Sequence, residues 1–223
     1  MRRVNDDKIN EVVRFLWLSA FDHRAPLRLT ISSRSGGSES IEEYIRIIHP
    51  TSMIINSDSP FVWQELHGRL WHTTHPERFR DILIRGAILP EPDVPDGDRW
   101  KTGGGPALYP YVRSIGGVSL FDFDGFDRVR YSEQYPASSW AYFVPFRRDW
   151  GYAVWIEINR AQIAQRFVSG RDLVARQMQE KAHRHTIMPY IEAAYIGELP
   201  RAAFLRAIEF REGHGKAETL ALS

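Results

Sequence analysis

Residues 151–158 (GYAVWIEI) form the clearest strand in the chain, and the elements around that strand constrain what it can pair with. Further strand patterns fall at residues 69–73, 117–121 and 190–196, and another closes residues 199–208 after a short helical turn. Between the first two strands, Pro76 stands where helices begin, and Phe79, Ile82, Leu83 and Ile84 give helical periodicity. Gly86 follows in the place of a C-cap. Helices and strands therefore alternate irregularly. No βαβ unit repeats, and no fixed-period repeat is present. The pattern predicts an α+β fold with a mixed or antiparallel sheet and flanking helices, rather than a doubly wound one.

The remaining segments are less regular. Residues 90–110 are loop-rich, with five prolines and Gly103-Gly104-Gly105, and a loop of that length is usually functional or disordered. Residues 131–146 are aromatic-rich and carry no clear period. Residues 161–167 are expected to begin a helix. Ahead of this region, residues 5–18 have helical spacing, 27–32 alternate like a strand, Ser40 to Glu43 resemble a capping box, and 53–55 form another short strand. These features divide the chain into a small N-terminal α/β extension, 1–60, and a main domain, 61–223. The 223 residues suit that division.

Composition excludes several function classes. Hydrophobic residues make up 43% and aromatic residues 13%, ample for a core. The 29 basic and 28 acidic side chains leave a formal charge of +1, which argues against a broadly basic nucleic-acid binder and leaves room for a local basic patch. With no cysteine, disulfides, thiolate zinc sites and a cysteine nucleophile are excluded. No signal peptide or membrane-spanning run is visible, so a cytoplasmic location is expected. Dinucleotide-binding glycine fingerprints, a Walker A loop, a nucleophile elbow and a zincin helix are all missing. Neither His67, His72 and His75, alone or with His183 and His185, nor Asp122, Asp124 and Asp127 match a metal-ligand spacing, so no metal is expected.

What remains is an ordered set of weaker motifs. Residues 70–90 run Leu70, Trp71, His72, Thr73, Thr74 into a helix that ends at Gly86. Gly117-Val118-Ser119-Leu120 follows in the middle, and Glu192-Ala193-Ala194-Tyr195-Ile196-Gly197-Glu198-Leu199-Pro200 near the end. In this order, over roughly residues 69–210, the motifs resemble those of ADP-ribosyltransferase-like domains, including bacterial toxins and DarT-like proteins. The resemblance implies a split sheet, NAD as the substrate, and transfer of ADP-ribose to a macromolecular acceptor, protein or nucleic acid. It makes Glu192 the catalytic carboxylate. His72 and Thr73 become the residues of the NAD-gripping strand, and Ser119 joins the nicotinamide pocket. Tyr131, Tyr135 and Tyr142 are candidates to stack on nicotinamide.

The roles suit the chemistry. Cleaving the nicotinamide–ribose bond develops positive charge on the sugar, and one carboxylate beside the 2′-hydroxyl stabilises it. Ser119 departs from the His-Tyr-Glu pattern, which has Tyr in the middle strand, and His72 departs from the Arg-Ser-Glu pattern. Tyr190 stands where arginine-modifying members often carry a second acid, so arginine is not favoured as acceptor. Two alternatives stay open: a non-catalytic nucleotide- or protein-binding module on the same fold, and an NAD-consuming RNA 2′-phosphotransferase. Arg128, Arg130, Arg147, Arg148 and the Lys181–Arg184 stretch are candidates for a basic rim suited to a pyrophosphate or a nucleic-acid acceptor.

Overall fold

The computed structural model describes residues 56–102 and 104–222. The chain divides into two compact units, Met1–Thr51 and Ser52–Ser223, and the described residues lie in the second. The helix, strands and capping box read from residues 5–55 fall outside the described residues.

Nine strands and seven α-helices follow one another irregularly in the described residues. Helix α1 (Pro60–Leu66) leads into β1 (Leu70–Thr74), α2 (Pro76–Arg85) and β2 (Ala87–Ile88). After a long connection come α3 (Tyr111–Ser114), β3 (Gly117–Asp122), α4 (Arg128–Gln134), α5 (Trp140–Phe143) and β4 (Tyr152–Ile158). Then α6 (Arg160–Ile163), β5 (Phe167–Val168), α7 (Gly170–Gln179), β6 (Glu192–Ile196), β7 (Leu199–Pro200), β8 (Phe204–Arg211) and β9 (Glu218–Leu220) complete the unit. Seven strands form one sheet in the order β5-β6-β3-β1-β4-β8-β9, with β2 and β7 paired apart. Every pairing is antiparallel. The α+β architecture with an antiparallel sheet agrees with the sequence pattern.

Local chemistry explains most boundaries. The His75 ring accepts a hydrogen bond from the Glu77 N–H at the head of α2, and Pro76 occupies the first turn. Gly86 ends α2 at φ 78°, a left-handed conformation that glycine takes at no steric cost. The helix expected over residues 161–167 is one turn only. Asn159 caps it through Ala161 and Gln162, and the chain is extended again at Phe167, which pairs with Tyr195. Pairing at the sheet edge overrides the local helical pattern there. Helix α7 carries no mark in the sequence reading. It opens on Ser169, whose hydroxyl accepts from the Asp172 N–H. The aromatic stretch without a period forms two short helices, α4 and α5, whose Tyr131, Trp140 and Phe143 turn inward. No helix among the described residues is long and apolar enough to cross a membrane.

The sheet buries both faces. On one face Trp71, Phe121, Trp155, Ile208 and Phe210 pack with α1, α4 and α5 in an aromatic cluster. On the other, Val118, Leu120, Val154, Ile156, Ala193 and Ala207 pack with Phe79 of α2 and Ile163 of α6. Alternation along each strand assigns the faces. In β3, Ser119 and Phe121 share the aromatic face. In β6, Glu192 lies on that face and Ala193 on the opposite one. The indole N–H groups of Trp71 and Trp155 donate to the Leu66 and Pro145 carbonyls at 2.9 and 2.5 Å, so the two buried rings leave no polar atom unpaired.

Candidate functional site

The sheet does not close along its whole width. Strand β1 matches β4 from Trp71 to Thr74 but matches β3 only at Leu70↔Asp122 and Trp71↔Phe121. Beyond Trp71 the two strands separate. His72 reaches into the gap, where its Nδ1 lies 3.0 Å from the Ser119 carbonyl oxygen. A carbonyl only accepts, so Nδ1 carries the hydrogen and donates it. Burial holds the His72 pKa below its usual 6.5, partly opposed by that hydrogen bond, and keeps the ring neutral with Nε2 as an acceptor. A cleft of about 1020 Å³ opens here, and His72, Thr73, Ser119, Met188 and Glu192 all line it.

Glu192 is built into the cleft by the pairing register. Ser119 is opposite Ala194, and Phe121 is opposite Glu192, so Ser119 and Glu192 are diagonal neighbours on one face. The Ser119 hydroxyl donates to Glu192 Oε1 at 2.8 Å, and the Met188 N–H donates to Oε2 at 2.9 Å. The residue is only 4% exposed. Burial pushes its carboxyl pKa above the usual 4.5, and the two donors pull it back in part. This is a carboxyl group with an elevated proton affinity, oriented at both oxygens, facing a cleft. Such a group can stabilise developing positive charge when ionised, and holds a proton more readily than an ordinary carboxylate.

Thr73 also lines the cleft, and its hydroxyl oxygen is buried without a hydrogen-bond partner among the described residues. The carbon walls near the carboxylate include Phe121 and Phe143. Farther out, Arg147 lies 4.6 Å over the Trp150 ring and pairs with Asp149 at 2.5 Å. Helix α2 and the 90–102 connection line the opposite end. Arg113 bridges Glu91 and Asp96 there at 2.7 and 2.9 Å, and Arg99 joins Glu91, which ties the long connection to α3.

His72, Thr73, Ser119 and Glu192 thus come together. The tyrosines do not line this cleft. Tyr131 is buried in the aromatic cluster with its hydroxyl 3.1 Å from Ser138 Oγ. Burial, above all, raises its pKa, with smaller pushes from Tyr135 and Glu192. Tyr142 stacks on Trp100 at 4.5 Å and donates to Asp149. Tyr135 packs between Tyr131 and Tyr190. The cleft's aromatic walls are Trp100, Phe121, Phe143 and Trp150 instead. The sequence reading also leaves out the Met188 N–H. Pro189 gives the only hint of it, as the marker of the turn that carries residues 188–191 back over Glu192.

Of the other residues considered, Asp122 forms a two-point ion pair with Arg160, and Asp127 caps α4. Among the described residues no three His, Asp or Glu side chains converge as a metal site would require. No protein-family model, no curated protein and no solved structure matches the chain.

Proposed function

We propose that the cleft binds NAD, and that the protein has an ADP-ribosyltransferase-like fold and activity. The observation that carries this reading is the convergence of His72 and Glu192, 120 positions apart in sequence, on one cleft where β1 parts from β3. Neutral His72 offers an acceptor to a ribose hydroxyl. The unpartnered Thr73 hydroxyl costs about 1–3 kcal/mol while unsatisfied, and a ligand amide would relieve that cost. Phe121 and Phe143 provide apolar walls for a pyridine ring.

In the proposed reaction the C1′–N bond of NAD breaks, and nicotinamide leaves as a neutral molecule with the bonding electron pair. Positive charge grows on the ribose, and Glu192, ionised and held by Ser119 and Met188, stabilises it. The acceptor nucleophile forms the new bond to C1′ and releases its proton to Glu192, whose raised pKa suits it to that step. The acceptor is a macromolecule or, in its absence, water.

The test is nicotinamide release from NAD by the wild type and by Glu192→Gln. Glutamine keeps the shape and loses the charge. Equal release from the two proteins would remove Glu192 from this role, and NAD binding with no release would favour a non-catalytic nucleotide-binding module.

A further inference from the structure

A second, smaller cavity of about 320 Å³ adjoins the cleft, and Ser139, Thr186 and Ile187 line both. Its remaining walls come from three separate parts of the chain: Lys101 in the long connection, Ala137 before α5, and Gln177 with His183, Arg184 and His185 at the end of α7. No carboxylate lines it. Lys101 and Arg184 are exposed, and neither makes an ion pair among the described residues. That separates them from Arg113, Arg147 and Arg176, each of which is neutralised by a carboxylate. The hydroxyls of Ser139 and Thr186 make no hydrogen bond among the described residues, so they are open donors toward the cavity. Gln177 and His185 form its rigid back. Gln177 Nε2 donates to the His185 carbonyl at 2.7 Å, and His185 Nδ1 lies 2.7 Å from the Tyr109 carbonyl.

Uncompensated cations beside open hydroxyl donors, with no acid in the wall, are the requirements of a site for a compact anion. We propose that this cavity is a phosphate-binding subsite, and that it receives the phosphate of the molecule that enters the cleft beside NAD. The second half of this statement rests on the ADP-ribosyl-transfer reading; phosphate binding itself does not. The position fits an acceptor group. The segment from His183 to Met188 runs from the subsite directly to the backbone N–H that orients Glu192, so a phosphate held at Arg184 and Thr186 places the attached group on the Glu192 side of the cleft. A phosphate monoester and a phosphodiester chain share this chemistry, and binding measurements tell them apart.

The experiment compares the wild type with the Lys101→Glu/Arg184→Glu double variant, using full-length protein without NAD. Three probes are titrated by calorimetry: inorganic phosphate, thymidine 5′-monophosphate, and a 5′-phosphorylated hexathymidylate. Nicotinamide release is measured in parallel. Both residues are exposed, and a thermal melt checks that the double variant stays folded. The expected result is binding to the wild type that weakens with salt and falls about tenfold or more in the double variant, with nicotinamide release unchanged. Equal affinity for the monophosphate and the hexamer identifies a terminal phosphate as the ligand, whereas a stronger hexamer identifies a phosphodiester chain. If the wild type and the double variant bind all three probes equally, or neither binds any, the subsite is overturned, whatever the release assay shows. If probe binding is lost in the double variant while neither protein releases nicotinamide, the phosphate subsite stands and the transfer reading fails.

Discussion

The two seams that flank β1 are built on opposite principles. On the β4 side the match runs from Trp71 to Thr74, and Ala153, Val154, Trp155 and Ile156 behind it are fully buried. On the β3 side the match stops after Trp71, a histidine ring takes the place of further ladder bonds, and the groups beyond are the half-buried Ser119 and the buried Glu192. The first seam is continuous and apolar, and its yield is stability. The second holds an unpartnered Thr73 hydroxyl and a desolvated carboxyl, arrangements that burial makes costly. A fold keeps such groups where something other than stability is gained, so the contrast points to the same candidate site as the cleft does.

The largest effect is expected on the closed seam. Trp155 is fully buried against Trp71, Phe121 and Phe123. Trp155→Ala should cost about 3–5 kcal/mol of stability by denaturant unfolding, since the cavity has rigid neighbours on both sides. A loss under ~1 kcal/mol would mean that this seam is not the anchor of the sheet.

On the open seam the corresponding change should act on function instead. Glu192→Gln is expected to lower nicotinamide release roughly 10²–10³-fold while stability changes by less than ~1.5 kcal/mol. The pH dependence of folding should change as well. Because burial raises the folded-state pKa of Glu192, its proton is held more tightly folded than unfolded. Its contribution to stability is therefore complete below the ordinary carboxylate value near 4.5 and is lost as pH rises through the raised value. Unfolding curves of Glu192→Gln across that window should lack this decline. His72 works in the other direction: its lowered pKa makes its contribution complete above 6.5 and lost as pH falls through the folded value. A variant with an unchanged pH profile would show that Glu192 is not desolvated.

The closed seam was the more legible of the two in the sequence. Residues 151–158 read as a strand because Val154, Trp155, Ile156 and Ile158 put β-branched and aromatic side chains in a short apolar run that opens at Gly151. Gly86 marked a helix end through its backbone freedom, a local property. Helix α7 was invisible because Leu173 and Val174 are its only large apolar buried residues, too few to produce a period. Glu192 and His72 were legible as residues through the order of surrounding motifs. Their geometry was not, because Ser119 meets Glu192 only through a cross-strand register that no local pattern encodes. The tyrosines illustrate the limit. Tyr131, Tyr135 and Tyr142 carry the same side chain in one aromatic-rich stretch, and only packing determines that none of them lines the cleft.

A smaller effect tests how the open seam holds its carboxylate. Ser119→Ala removes one of the two donors to Glu192, a charge-assisted bond of about 1.5–3 kcal/mol. The ionised form loses that support, so the Glu192 pKa should rise further. The acid limb of the nicotinamide-release profile should move to higher pH, with release on that limb down about tenfold. Ser119→Thr keeps the hydroxyl and should restore the limb. If the alanine variant lowers release equally at every pH, Ser119 contributes shape and not the hydrogen bond.

The smallest effect is expected at Tyr131, and it separates the two readings of the aromatic stretch. Its ring is buried among Phe126, Tyr135 and Trp140, and among the described residues its hydroxyl meets only Ser138, at 3.1 Å. That bond joins two neutral groups, and Ser138 is partly open to water, which replaces the lost partner. Tyr131→Phe should therefore cost about 0.5–1 kcal/mol of stability. Nicotinamide release and its KM for NAD should stay at wild-type values, because the residue does not line the cleft. A raised KM with unchanged stability would place Tyr131 against the substrate. It would also mean that the aromatic cluster opens toward the cleft when NAD binds, and that the open seam extends farther across the sheet than the separation of β1 from β3.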